Sequence, residues 1–325
     1  MNSQIRTLML CTLAIAALML GACADDPVGP GPDATTNTTT PAFDELAVVE
    51  DAHLTSYAGV IGGTNQYEIL VPTDWNGEFI LYAHGFVDAF EDIRLPDKDN
   101  VDLIRDELVG MGYAFGYCSF RENGFAVKDG IWATRTVGQI FRSKVKQEPV
   151  YTWLMGHSLG GAVAVNLVEK HPGDYDGVLT VAGMIGGSRA EIDYMGDIWN
   201  MFELMYGDDI LPGNPCELAM PPADLIPLIA GTVMADPDGL GVIAALNPLP
   251  GETPEQFVES LITAIAFNDR GQADLDERLG GDCAYDNCER VYAVREPFML
   301  PPGVADWVNA TVPRYCRAVP ADNYF

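Results

Sequence analysis

Residues Val150–Gly161 read VYTWLMGHSLGG. A short apolar and aromatic run ends at Gly156 and an Ala/Val/Leu-rich helical pattern begins at Leu159, so Ser158 falls at a strand-to-helix corner. Gly156, Ser158 and Gly160 spell G-x-S-x-G. At such a corner the glycines let two backbone segments pass closely around a strained serine, whose hydroxyl then projects above the sheet. Bare G-x-S-x-G matches are weak; the position between a strand pattern and a helix pattern is what gives this one force. His157 adjoins the serine, but a neighbouring side chain at this corner points elsewhere. It is therefore read as a packed or hydrogen-bonded support of the corner and not as a catalytic base.

Working upstream, Tyr57–Ile61 and Gln66–Val71 are β-rich runs separated by Gly62-Gly63, a hairpin signal. Trp75-Asn76-Gly77 turns the chain into a third run, Glu78–Ala83, which ends in His84-Gly85-Phe86. Asn100–Gly112 carries Val101, Ile104, Leu108 and Met111 at helical spacing, and Tyr113–Cys118 follows as a strand. A helix over roughly Ile131–Val145 returns the chain to the elbow strand. Downstream of Ser158 a helix runs to about Lys170, stopped by His171-Pro172-Gly173, and Asp176–Ala182 forms another strand. Alternation of this kind predicts an α/β fold with a mostly parallel central sheet and helices on both faces.

The alternation stops after residue 183. Residues 184–325 are rich in Pro and Gly, with helical stretches at Tyr194–Tyr206 and Thr253–Phe267. The second opens with a Thr253 cap, Pro254 at the first helical position and Gln256 reaching back. Its stripe of Val258, Leu261, Ile262 and Ile265 reads as packing, with a substrate-facing role as the alternative. The expected organisation is a core over 44–183 and a helical lid or cap insertion over 184–325.

The chain has 325 residues and 48% apolar content, enough for a sizeable core. Lys+Arg 18 against Asp+Glu 47 gives a net charge of −29, which repels phosphate backbones and excludes nucleic acid as a natural partner. At the N-terminus, Arg6 precedes the apolar run Leu8–Leu20 and then Gly21-Ala22-Cys23. That run is too short to span a membrane as a mature helix and reads as a signal peptide over 1–23. It resembles a bacterial lipoprotein signal, which implies export and lipidation at Cys23; an ordinary secretory signal is the alternative. Ala24 in place of aspartate implies the outer membrane over the inner, with the lipid as the sole membrane contact. Residues 24–43 are Pro/Thr-rich with almost nothing to bury and read as a disordered tether.

Taken together, His84-Gly85-Phe86 after the third strand, GHSLGG at the elbow and the order of elements resemble secreted bacterial serine esterases and lipases of the α/β-hydrolase superfamily. The resemblance covers about Tyr57–Gly187. It implies that Ser158 attacks an acyl carbonyl of a small-molecule or polymeric ester while the backbone amides of Phe86 and Leu159 hold the oxyanion, supported by His84, Gly85, Gly156, His157 and Gly160. It also implies an acid and a histidine on loops after later strands. Here the match fails: the last of four histidines is His171, roughly 20 Å from the serine along the helix. His84 lies in the oxyanion segment and His53 precedes the first strand, and no acid stands out. The expectations are therefore an esterase whose last strands are missing from this chain, turning over esters poorly, or a non-catalytic α/β-hydrolase-like binding protein tethered to a membrane.

The mature chain carries Cys118, Cys216, Cys283, Cys288 and Cys316 besides Cys23. In an oxidising compartment the close pair Cys283 and Cys288 is the expected disulfide, while a second ligand pair for zinc is lacking. No metal site, phosphate loop or cofactor motif is read, and the oligomeric state is not legible.

Overall fold

In the computed structural model the described residues are 47–50, 53–96, 101, 103–218, 222–278 and 283–317. The signal peptide, the Cys23 lipidation site and the tether lie outside them. The chain divides into two compact units, one of residues up to Gly85, Asp92–Glu122 and Ala126–Gly183, the other of Phe86–Glu91, Asn123–Phe125 and the residues from Met184 onward.

The first unit is built on β1 (Ala47–Glu50), β2 (Leu54–Ile61), β3 (Asn65–Pro72), β4 (Glu78–Ala83), β5 (Ala114–Cys118), β6 (Tyr151–His157) and β7 (Gly177–Val181). They form one seven-stranded sheet in the order β1-β2-β3-β5-β4-β6-β7. The first three strands and the β3–β5 pair are antiparallel, whereas β5, β4, β6 and β7 run parallel. Parallel neighbours need crossovers, and α1 (Leu103–Gly110), α2 (Val127–Lys144) and α3 (Leu159–Lys170) supply them. All five residues of β5 and five of six in β4 are buried, as strands covered on both faces must be.

Alternation divides those side chains between two layers. Ile80, Tyr82, Phe115 and Tyr117 pack with Leu108 and Val109 of α1. On the other face Phe79 stacks on Phe141 of α2 at 3.9 Å, and a Cβ on Gly116 would meet Val137 at 3.2 Å. This is the α/β-hydrolase fold. The observed helix α2 starts earlier than its sequence pattern, because Val127 and Ala126 are already buried. The short exposed β1 carries no strong strand signal.

The second unit is helical: α4 (Gly187–Tyr206), a small hairpin of β8 (Gly213–Asn214) and β9 (Glu217–Leu218), α5 (Pro222–Ala235), α6 (Asp238–Leu246), α7 (Pro254–Arg278) and α8 (Val304–Thr311). Its core holds Ile192, Met195, Ile198, Trp199 and Phe202 of α4 with Leu261 and Ile265 of α7. The stripe expected on α7 is therefore ordinary packing at those two residues. The capping box is formed as read: Gln256 N–H donates to Thr253 Oγ1 at 3.3 Å, and Gln256 Oε1 accepts from Thr253 N–H at 3.2 Å. Among the described residues no single helix is long and apolar enough to cross a membrane.

The expected Cys283–Cys288 disulfide is corrected. Cys283 pairs with Cys216 and Cys288 with Cys316, with Cα separations of 5.3 and 4.9 Å, and Cys118 is free and buried. The physical reason lies in the residues between the two cysteines. Tyr285 donates to Asp197 at 2.9 Å and packs so closely on α4 that a Cβ at Gly196 would fall 2.3 Å from its ring. Asp286 N–H also donates to Asp193 at 2.9 Å. The segment is thereby pinned along α4, which sends the two sulfurs to different partners. Two disulfides fit an oxidising compartment.

Candidate active site

The direction of the chain across the sheet reverses at β4. From β4 the chain steps outward to β5, then returns past β4 to β6 and on to β7. In open α/β sheets the crevice at the carboxyl ends of the strands flanking such a reversal is where ligands bind. Here β4 ends in Ala83, followed by His84-Gly85, and β6 ends in His157, followed by Ser158. Sequence and topology therefore nominate the same point.

Ser158 has φ 52° and ψ −119°. A residue with a Cβ is rarely held there, and such strain gathers at functional sites. What maintains it is close backbone packing on three sides. A Cβ on Gly156 would lie 2.1 Å from the carbonyl oxygen of Gly160, and one on Gly160 would lie 2.0 Å from that of Ala83. No residue larger than glycine fits at either position. Ser158 N–H donates to Val181 O at 3.0 Å, tying the corner to the end of β7, and Gly161 N–H donates to Ser158 O at 2.9 Å. Leu159 is the first residue of α3, so its N–H has no intrahelical acceptor and faces out from a helix N-terminus.

The His84-Gly85 segment runs alongside. A Cβ on Gly85 would lie 3.3 Å from Ser158 Cβ and 3.1 Å from His157 Nδ1, so the bare glycine lets this strand end touch the corner. Phe86 follows Gly85 in the chain and belongs to the second unit, where its ring meets Phe125 and Phe267 at 5.3 and 5.0 Å.

Each of the four histidines has another place. His84 is buried, its Nδ1 is 2.7 Å from Gly85 O, and its ring stacks on Phe120 at 3.9 Å. Burial lowers its pKa to about 4, against the backbone at Gly85 and Ser119, which favours the charged ring. A group this reluctant to take a proton, with Nδ1 committed, is a poor general base. His157 is half-buried and its pKa is likewise lowered by desolvation. His171 caps the far end of α3, whose 12 residues separate it from Ser158. His53 stands before β2, where Leu54 pairs with Pro72 at the opposite edge of the sheet, and β2 lies four strands from β6. At ~4.8 Å per strand that is ~19 Å sideways. Among the described residues, His84 Nδ1 is engaged by Gly85 O, and neither His157 nor His171 is hydrogen-bonded to the Ser158 hydroxyl. Among the described residues there is also no cluster of metal-ligating side chains.

Sequence reading missed Phe120 and Asp129. Phe120 takes φ 60°, a left-handed value that the sequence does not announce in a non-glycine residue.

Comparisons with known proteins find no matching family model and no matching curated protein. Solved structures do match at low similarity. Feruloyl esterase B from Aspergillus oryzae is 18% identical, with 46% of this chain and 32% of that one covered at a TM-score of 0.35. The rice cell wall degrading esterase LipA from Xanthomonas oryzae is 15% identical, with 66% and 70% covered at 0.31. Dienelactone hydrolase from Anabaena variabilis is 14% identical, with 43% and 66% covered at 0.32. The chain thus spans about a third of the length of the feruloyl esterase it matches.

Proposed function

We propose that the chain is a serine hydrolase acting on carboxylic esters through an acyl-enzyme at Ser158. The observation that carries this reading is the backbone of Ser158 itself, held at φ 52° at the switch point by glycines that cannot be replaced. In the proposed reaction Ser158 Oγ bonds to the ester carbonyl carbon, the carbonyl oxygen takes the negative charge, and the Phe86 and Leu159 amides stabilise it. Collapse expels the alcohol with the proton that left Oγ, and water then cleaves the acyl-serine.

That proton needs a carrier, and the described histidines are placed elsewhere. The expected behaviour is therefore slow acylation that added imidazole accelerates. The test follows hydrolysis of p-nitrophenyl acetate by the chain and by Ser158→Ala, with and without imidazole, and looks for acetylated Ser158 by mass spectrometry. Loss of the base alone removes most of the rate in serine hydrolases, leaving ~10³-fold over water from binding and the oxyanion hole. Equal rates for the two proteins in both conditions, with no acyl-serine, would overturn the hydrolase reading. Fast Ser158-dependent turnover without imidazole would overturn the placement of the base. The same placement of the histidines favours a second reading, a non-catalytic binding protein, which predicts the first of those outcomes.

A further inference from the structure

The peptide that links Gly85 to Phe86 carries Gly85 C=O at one end and Phe86 N–H at the other. Because a trans peptide is planar, its N–H points opposite to its C=O, and whatever holds the carbonyl also aims the amide. Here the carbonyl is held by His84. Its Nδ1 lies 2.7 Å from Gly85 O, and since a carbonyl accepts only, Nδ1 carries the proton. The ring stays neutral because burial dominates, with the charge of His157 acting in the same direction. The far nitrogen, Nε2, is buried without a hydrogen bond of normal geometry, although the Ser119 backbone is near enough to favour a proton there. One hydrogen bond and the packing of its faces therefore fix this ring.

The packing comes from Phe120. Its ring lies against His84 with centroids 3.9 Å apart and planes inclined by 27°. Behind it stands the first turn of α2, where a Cβ on Gly130 would be 2.9 Å from the Phe120 ring, so this helical glycine admits the ring. A left-handed backbone crowds the Cβ of any residue but glycine, and both neighbours of Phe120 are pinned against its relaxing. Ser119 N–H donates to Gln66 O at 2.9 Å, its Oγ accepts from Gln66 N–H at 2.9 Å, and the same hydroxyl donates to Phe120 O at 2.8 Å. Arg121 N–H donates to Asp129 Oδ2 at 2.6 Å, and the Arg121 guanidinium grips the other oxygen of that carboxylate. Asp129 is only 4% exposed, so both of its oxygens are spent on Arg121.

We propose that Asp129 is a positioning residue for the oxyanion segment, acting through Arg121, left-handed Phe120 and the stacked His84 ring on the Gly85–Phe86 peptide. The proposal rests on the reading of Phe86 N–H as an oxyanion donor and adds what aims it. The second carboxylate oxygen of Asp129 matters because a neutral amide in its place keeps one acceptor and cannot hold both the Arg121 backbone N–H and the guanidinium, nor supply the charge that strengthens those bonds. Asp129 touches no substrate in this scheme.

Two measurements separate the proposal from the reading beneath it. The first is the rate at which a fluorophosphonate, a serine-directed reagent whose transition state needs the oxyanion amides, labels Ser158 in the wild type and in Asp129→Asn, His84→Leu and His84→Asn. Removing one oxyanion donor typically costs about 10²–10³ in rate, so a misaimed one should slow labelling about tenfold or more in Asp129→Asn and His84→Leu. His84→Asn, whose side-chain amide can donate where Nδ1 does, should recover most of what His84→Leu loses. A role in mere stability would not make that distinction. The second measurement is the NMR titration of His84, which needs no nucleophile. In Asp129→Asn the loosened Phe120 uncovers the ring, and its titration should move up toward the ordinary histidine value. Unchanged labelling by His84→Leu, or an unchanged His84 titration in folded Asp129→Asn, would overturn the proposal. A wild type that labels no faster than Ser158→Ala would instead remove the hydrolase reading, and the titration would still decide whether Asp129 holds the ring.

Discussion

The sheet corner around Ser158 and the helical unit that begins at Met184 are specified in different ways. At the corner, backbone touches backbone, and Gly156 and Gly160 stand where any side chain would collide within about two ångström. In the helical unit, apolar faces of α4 and α7 pack through exchangeable side chains, and the loops are fastened by two disulfides and by the Asp193 and Asp197 carboxylates that α4 itself presents. The first kind of constraint admits one residue type per position. The second admits many, which is why it is weakly written in any one residue.

The largest effect that tests this contrast is Gly160→Ala. The new methyl would sit 2.0 Å from Ala83 O and 2.6 Å from His84 O, atoms of a central strand end that cannot swing aside. A loss of at least about 3 kcal/mol is expected in urea unfolding, along with loss of any Ser158 chemistry. Gly231→Ala is the counterpart. It lies within α5 with nothing within 4 Å of the added carbon, so it should stabilise by ~0.5–1 kcal/mol. Comparable effects from both would break the contrast.

The same difference explains what could be read beforehand. The elbow was legible because a strained serine requires glycine at two fixed offsets, and the central strands because burial on both faces leaves short continuous apolar runs. The cap of α7 was legible since Thr253, Pro254 and Gln256 act locally. Helices α5 and α6 were hidden by their prolines: Pro222 and Pro237 mark helix starts and Pro227 lies inside α5, yet such residues read as loop in isolation. Disulfide connectivity was not legible because Tyr285, buried against Asp197 and Gly196, decides where Cys283 and Cys288 point. The left-handed Phe120 was invisible for a related reason. Its φ is imposed by Gln66 and Asp129, residues 54 and 9 positions away in the chain by numbering, and not by its own preference.

An intermediate effect should come from opening Cys288–Cys316 by replacing both residues with serine. The bridge closes a loop of 28 residues, and by the loop-entropy relation removing it costs about 3.6 kcal/mol through the freed unfolded chain. The contrast predicts where the loss falls. Amide hydrogen exchange should accelerate in α4 and α8, while amides of β4 and β6, in the unit that holds neither disulfide, keep their protection. Equal losses in both places would show that the two kinds of constraint stabilise one cooperative structure.

A pH-dependent effect, one proton per group, sets the two regions against each other in sign. In the sheet unit burial lowers the His84 pKa from 6.5 to about 4. As pH falls through that window the unfolded chain gains a proton that the folded imidazole refuses, so this contribution to stability is present above pH 6.5 and lost toward pH 4. In the helical unit burial raises Glu203 from 4.5 to about 7, with Asp208 adding to the shift, and raises Asp276 from 3.8 to about 6 against the Ala284 N–H and Gln272. A folded state that keeps these protons is favoured at low pH, and the advantage is lost as pH rises from 4.5 to about 7 for Glu203. Native-state hydrogen exchange should therefore show β4 and β6 protection growing from pH 4.5 to 7 while that of α4 declines. Glu203→Gln, which cannot ionise, should flatten the α4 trend and leave β4 and β6 unchanged. If α4 protection does not decline with pH in the wild type, or declines as steeply in Glu203→Gln, Glu203 is not the buried acid that governs this unit.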